Sequence, residues 1–247
     1  MAAGHAGHAV VGGETVTGRL YGVGVGPGDP DLMTFRAHNV IAACAVVAFV
    51  HAEGRPSRAR MTADPAVPID VEEIAFALPM RPEPEAAAAV YDKAAERIAD
   101  ILERGTDVAL LCEGDPLLYG SFIQFMDRLA GRCEVEIVPG LPSIVAAAAA
   151  ARLPLVRRNE VLTLIPATLA EPELAARLAV ADCAAILKTG RHLDKVRRAL
   201  AETGMLEGAV AVLEASMPAE KIVPLAEWTD ETLPYFALII AHRSGPK

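Results

Sequence analysis

The stretch YGVGVGPGDPD, residues 21–31, sets four glycines and two prolines within eleven residues. It follows the apolar start of RLYGVGV and precedes DPDLMTFRAHNVIAACA, so it reads as a turn between a strand and a helix. A glycine-rich turn in that position raises the question of a dinucleotide site. The dinucleotide fingerprint is G-x-G-x-x-G opening into a helix. From Gly22 it needs glycine at 27 and meets Pro27; from Gly24 it meets Asp29; from Gly26 it meets Asp31. Every register fails. Asp29 and Asp31 also crowd the helix start, where a phosphate seeks free N–H groups and no neighbouring anion. Asp29 is placed to cap, with Pro30 as first helical residue. The turn suits backbone packing or a ligand without phosphate.

A second stretch, CEGDPLLYGSF at 112–122, follows the apolar strand of DVALLC. It therefore sits at the C-terminal end of that strand, where open parallel sheets bind ligands. Gly114 permits close approach. Asp115 reads most plainly as a helix cap. That leaves Glu113, Gly114, Tyr119 and Gly120 unexplained.

Around these motifs, strands and helices alternate. Strands are expected at AVVAFV (45–50), EEIAFALP (72–79), 107–116 and VEIVPG (135–140), and helices at 84–105 and 121–131. Leu32, Phe35, Val40 and Ile41 mark one face of a first helix. Residues 51–70 read as irregular. After an alanine-rich helix in 140–156 the alternation resumes, with strands at 161–167, 184–190, 208–216 and 235–243 and helices at 172–181 and 192–204. This is an α/β protein of two lobes. The expected boundaries are a flexible tail over 1–18, an N-terminal lobe over 19–140 and a C-terminal lobe over 141–247. His5 and His8 lie on the tail and make no metal site.

Composition narrows the function. Of 247 residues 53% are hydrophobic, so a sizeable core is available. The net charge of −9 argues against nucleic acid as a partner. The longest apolar runs, 42–50 and 143–150, fall well short of the roughly 20 residues of a membrane span. Residues 1–18 lack the pattern of a secretory leader. Cys44, Cys112, Cys133 and Cys183 form no C-x-x-C pair and read as reduced, mostly buried thiols of a cytoplasmic protein, with no metal.

Taken together, GVGVGPGD (22–29), EGDPLLYG (113–120), PGLPS (139–143) and LKTGRHLDKV (187–196) resemble the tetrapyrrole methylase family in motif and order. The resemblance covers nearly everything after residue 18. It implies two α/β lobes with the active site in the cleft between them, a homodimer, and S-adenosylmethionine as methyl donor without a metal. By position it implies cofactor contacts at Pro27, Glu113, Gly114, Asp115, Leu118, Pro142 and Ser143, with Thr189, and then Ala215 or Ser216, from the second lobe. Pro142 departs from the family's usual residue and has no N–H to offer. Within the family, GDPLLYGSF, LKTGRHLDKV and FALPM are most similar to members that methylate carbon 20 of precorrin-2. The implied substrate is precorrin-2, with cobalt-factor II or another ring position as alternatives.

The implied reaction moves a methyl group onto a ring carbon that must later lose a proton. Asp115 and Tyr119 are the candidates for a base, although binding or loop shape is the plainer role for both. Precorrin-2 is a polycarboxylate, and an acidic protein needs local cations to take it. Arg55, Arg58 and Arg60 in HAEGRPSRAR (51–60) are the candidates, with Arg81 beyond them; a planar guanidinium bonds both oxygens of a carboxylate.

Overall fold

The computed structural model describes residues 17–79 and 84–244. The expectations for the tail and for Met80 and Arg81 fall outside these residues.

The first lobe is a parallel sheet of five strands: β1 (Arg19–Gly24), β2 (Val46–Ala52), β3 (Glu72–Leu78), β4 (Val108–Cys112) and β5 (Glu134–Val138), in the order β3-β2-β4-β1-β5. β4, VALLC, is buried throughout, as a central strand covered on both faces must be. Helices α1 (Phe35–Ala43) and α2 (Arg58–Ala63) cover one face, through Ala37, Ile41, Ala59 and Ala63. Helices α3 (Pro84–Leu102) and α4 (Phe122–Leu129) cover the other, through Ile98, Leu102, Phe122 and Phe125. Fully burying each such side chain contributes about 1.5–3 kcal/mol. The loops leaving β1 and β4 thus part to opposite faces, which opens a crevice at the C-terminal ends of these neighbouring strands. Gly22 within β1 is a packing glycine: a Cβ there would lie 2.6 Å from the Phe122 ring.

The start of α1 differs from expectation. Asp29 accepts a hydrogen bond from the Asp31 amide and caps only a 3-10 turn, Pro30–Leu32, with Pro30 at its start. Thr34 then caps the helix proper through the Ala37 amide. This break rotates Phe35 to solvent, where it is 91% exposed, and the buried face passes to Ala37 and Ile41. Part of the "irregular" 51–70 segment is α2, capped by Ser57, whose hydroxyl accepts from the Arg60 amide and donates to the Val50 carbonyl.

The second lobe holds β6 (Leu162–Pro166), β7 (Cys183–Leu187), β8 (Ala209–Leu213), β9 (Lys221–Pro224) and β10 (Ala237–His242), in the order β6-β7-β10-β8-β9. β6 and β7 are parallel, whereas β10 runs antiparallel between β7 and β8. Helices α6 (Glu171–Ala179) and α7 (Leu193–Glu202) cover one face. The alanine-rich α5 (Ser143–Ala151) covers the other with Ile144, Ala147 and Ala148, so the helix that follows the first sheet packs on the second. Small side chains allow that close approach.

Candidate functional site

Three loops meet at the C-terminal ends of β1, β4 and β5. Gly26 and Gly114 form an antiparallel bridge, with N–H to carbonyl distances of 3.3 and 2.8 Å. Gly140 of the PGLPS segment lies against both loops: a Cβ there would sit 2.0 Å from the Gly114 oxygen, and one on Gly24 would sit 2.6 Å from the Gly140 nitrogen. Backbone meets backbone here, so no side chain fits. Gly26 and Gly114 also adopt φ of +88° and +63°, open to glycine at little cost. The answer to the opening stretch is therefore physical: its glycines seal a backbone junction beside which a ligand can lie. Leu141, Pro142 and Ser143 pass 3.9–4.0 Å from the Cβ position of Gly114.

Asp115 pins this junction. Its Oδ1 accepts from the Leu117 amide at 2.9 Å and its Oδ2 from the Gly140 amide at 3.1 Å. Glu113, two residues earlier and directly after β4, makes no such bond among the described residues. It keeps solvent contact, yet the surrounding protein removes enough water to push its carboxyl up, against a smaller downward pull from Arg58. Leu118 reaches out of the first lobe and packs against the apolar face formed by α5 and the second sheet.

The second lobe brings its own strand ends to the same place. Thr189, just after β7, is 0% exposed and its Oγ1 has no partner among the described residues. Lys188 before it extends over the Tyr119 ring at 4.7 Å. After β8, the Asp29 amide donates to Ser216 Oγ at 3.1 Å, and Met217 covers Gly28, where a Cβ would fall 2.3 Å from Sδ. Tyr119, Lys188, Glu214 and Ser216 all have positive φ, between 51° and 68°. Left-handed backbone at a residue with a side chain costs on the order of 1–3 kcal/mol. Four such residues at one junction mark it as the place where packing overrides local preference.

The three arginines diverge. Arg60 forks onto Glu73 and also bonds Asp64, within the first lobe. Arg58 pairs with Glu214 of the second lobe and lies 3.6 Å over the Phe236 ring. Arg55 is exposed on the turn after β2 and has no acidic partner among the described residues. Sequence reasoning missed Thr62, Lys188, Glu214 and Met217. Glu214 carried a usable signal: like Glu113, it is a charged residue directly after an apolar strand.

Among the described residues no group of three or more His, Cys, Asp or Glu side chains could hold a metal ion, and no helix is long and apolar enough to cross a membrane. All four cysteines are free, and Cys133 alone of them is only partly buried.

Comparison with known proteins agrees with this fold. The sequence model of the tetrapyrrole (corrin/porphyrin) methylases matches residues 19–228. The chain belongs to that family. It is 39% identical to a precorrin-2 C(20)-methyltransferase from a Sinorhizobium species, over 90% of this chain and 94% of the relative. It is 30% identical to a cobalt-precorrin-2 C(20)-methyltransferase from Salmonella typhimurium, over 92% and 98%. Among solved structures, the uroporphyrin-III C-methyltransferase of Thermus thermophilus in complex with S-adenosyl homocysteine matches 91% of this chain and 97% of its own, with a TM-score of 0.69 and 25% identity.

Proposed function

We propose that this chain transfers a methyl group from S-adenosylmethionine to carbon 20 of precorrin-2, a step in cobalamin assembly. The observation that carries the reading is the glycine-sealed junction of residues 24–28, 113–115 and 139–143, faced by the strand ends of the second lobe. Its features fit this cofactor. The acidic GPGD turn suits a ligand without phosphate. The fully buried Thr189 hydroxyl lacks a partner among the described residues, and a buried hydroxyl normally has one. Glu113 supplies a carboxylate to balance a cationic ligand.

When bound, S-adenosylmethionine supplies a methyl group already activated on a sulfonium. The protein's task is then orientation and exclusion of water; well-aligned reactants gain about 7–11 kcal/mol from positioning. In this reading Pro27, Glu113, Gly114, Leu118, Pro142, Ser143 and Thr189 line the cofactor. Asp115 holds the wall they stand on, because both its oxygens already accept amides. That occupancy argues against Asp115 as the base. Tyr119, half-exposed with Lys188 over its ring, belongs to the rim. Among the three arginines, the exposed Arg55, without an acidic partner among the described residues, is the one free to meet a substrate carboxylate.

The Salmonella relative supports a second reading, the same transfer on the cobalt-containing substrate. Competition between the two tetrapyrroles for one enzyme preparation separates them. We also take the protein to be a cytoplasmic homodimer, which sedimentation and fractionation would check. The test of the cofactor site is calorimetric titration with S-adenosylhomocysteine. Stoichiometric binding by the wild type, abolished by substitution of Gly140 with valine, is the expected result; no binding by the wild type would overturn the reading.

A further inference from the structure

The short helix α2 touches both partners of the contact between lobes. Arg58 and Thr62 are one turn apart and share a face. Thr62, buried, donates from Oγ1 to the Gly28 carbonyl at 3.2 Å. Arg58 pairs with Glu214, each side chain only 22% exposed, while its guanidinium stacks on Phe236 at 3.6 Å. Glu214 is fixed in turn by its own amide, which donates to the Phe236 carbonyl at 2.8 Å. The turn so gripped, 214–217, is left-handed at Glu214 and at Ser216, and delivers Ser216 to the Asp29 amide and Met217 to Gly28. One end of α2 therefore holds the glycine turn of the first lobe. The other end holds the strained turn of the second lobe that closes upon it.

We propose that α2 is a clasp that assembles the cofactor cleft, with Arg58 as a positioning residue acting through Glu214 and Phe236. The inference rests on the cleft being the S-adenosylmethionine site. It gives Arg58 a role different from that of Arg55: its charge is spent within the protein, so its loss falls on the cofactor side of the cleft. A flat guanidinium is needed both to pair and to stack, and lysine supplies only the first.

The experiment compares wild type, R58E, R58K, E214R and the exchanged pair R58E/E214R. Two readouts are taken: calorimetric affinity for S-adenosylhomocysteine, and hydrogen exchange of residues 214–217 in the ligand-free protein. R58E and E214R should each weaken binding by about tenfold or more and speed exchange at 214–217, and the exchanged pair should recover most of both, the size expected of directly coupled residues. R58K should fall between. Michaelis constants should shift for the methyl donor and stay within about threefold for the tetrapyrrole, since a contact that acts through 214–217 leaves the substrate rim in place. A rise confined to the tetrapyrrole constant, or no recovery in the exchanged pair, would overturn the clasp. Wild-type protein that binds no S-adenosylhomocysteine would refute the cofactor reading alone. The exchange data would then decide the clasp, since equal exchange at 214–217 in wild type and R58E contradicts it.

Discussion

Asp115 Oδ2 accepts the Gly140 amide at 3.1 Å, across 25 residues of sequence. The other oxygen takes the Leu117 amide at 2.9 Å, so the carboxylate acts as a rivet between the loops after β4 and β5. D115N presents an NH2 group to one of those amides. One amide then loses its charged acceptor, and a hydrogen bond to a charged group contributes about 1.5–3 kcal/mol. The variant should melt at a lower temperature and bind S-adenosylhomocysteine more weakly, with the pH profile of its residual turnover unchanged. Loss of an acidic limb from that profile would instead make Asp115 the base.

Glycine substitutions should separate crowding from backbone preference. A Cβ on residue 140 would sit 2.0 Å from the Gly114 oxygen, and neither backbone can retreat without opening the junction. At Gly54 a Cβ would meet nothing within 4 Å, although φ is +75°. G54A should cost only the left-handed penalty, about 1–2 kcal/mol, and should keep full cofactor affinity. G140A should lose that affinity even where the chain still folds. Equal stability and equal binding in the two variants would contradict the junction.

Thr189 offers a test in which stability and binding move apart. Its hydroxyl is fully buried and has no partner among the described residues. T189V keeps the shape and removes the unsatisfied group, so denaturant unfolding of the ligand-free protein should show unchanged or higher stability. Binding of S-adenosylhomocysteine should weaken by about 1 kcal/mol, the worth of one hydrogen bond. Unaltered binding would mean that the hydroxyl serves no ligand.

Glu113 makes stability depend on pH in a definite direction. Its carboxyl ordinarily titrates at 4.5 and is raised in the fold, chiefly by desolvation from the protein around it although the residue stays exposed, and against Arg58. The folded protein therefore holds this proton more tightly than the unfolded chain. Stability contributed by the protonated form is present below 4.5 and lost as pH rises through the folded value. E113Q removes the effect, so its stability relative to wild type should climb across that window and then level off. A relative stability that is flat from pH 4 to pH 8 would contradict the raised carboxyl.

Much of this site is legible in the chain before any coordinates. The glycine turn over Gly22–Asp31 reads as backbone packing or a ligand without phosphate, the EGDP loop after an apolar strand reads as a ligand loop at a strand end, and both loops lie at strand ends. Direction within the second sheet is not legible: YFALIIAHR reads as a strand, but alternation of elements says nothing of β10 running antiparallel between β7 and β8. Helix α2 escapes because six residues are too few to show a period and its buried face is only Ala59, Thr62 and Ala63, with a polar residue among them. Phe35 misleads because a 3-10 turn resets the phase before α1 begins. The pairing of Arg58 with Glu214 joins residues 156 positions apart, and only the packing of the two lobes reveals it.

Purified protein would be incubated anaerobically with S-adenosylmethionine and metal-free precorrin-2, and the product followed by mass and NMR. A gain of one methyl group, located at carbon 20, is the predicted result. A methyl group at another ring position, or no transfer to either the metal-free or the cobalt-containing substrate while S-adenosylmethionine stays bound, would contradict it.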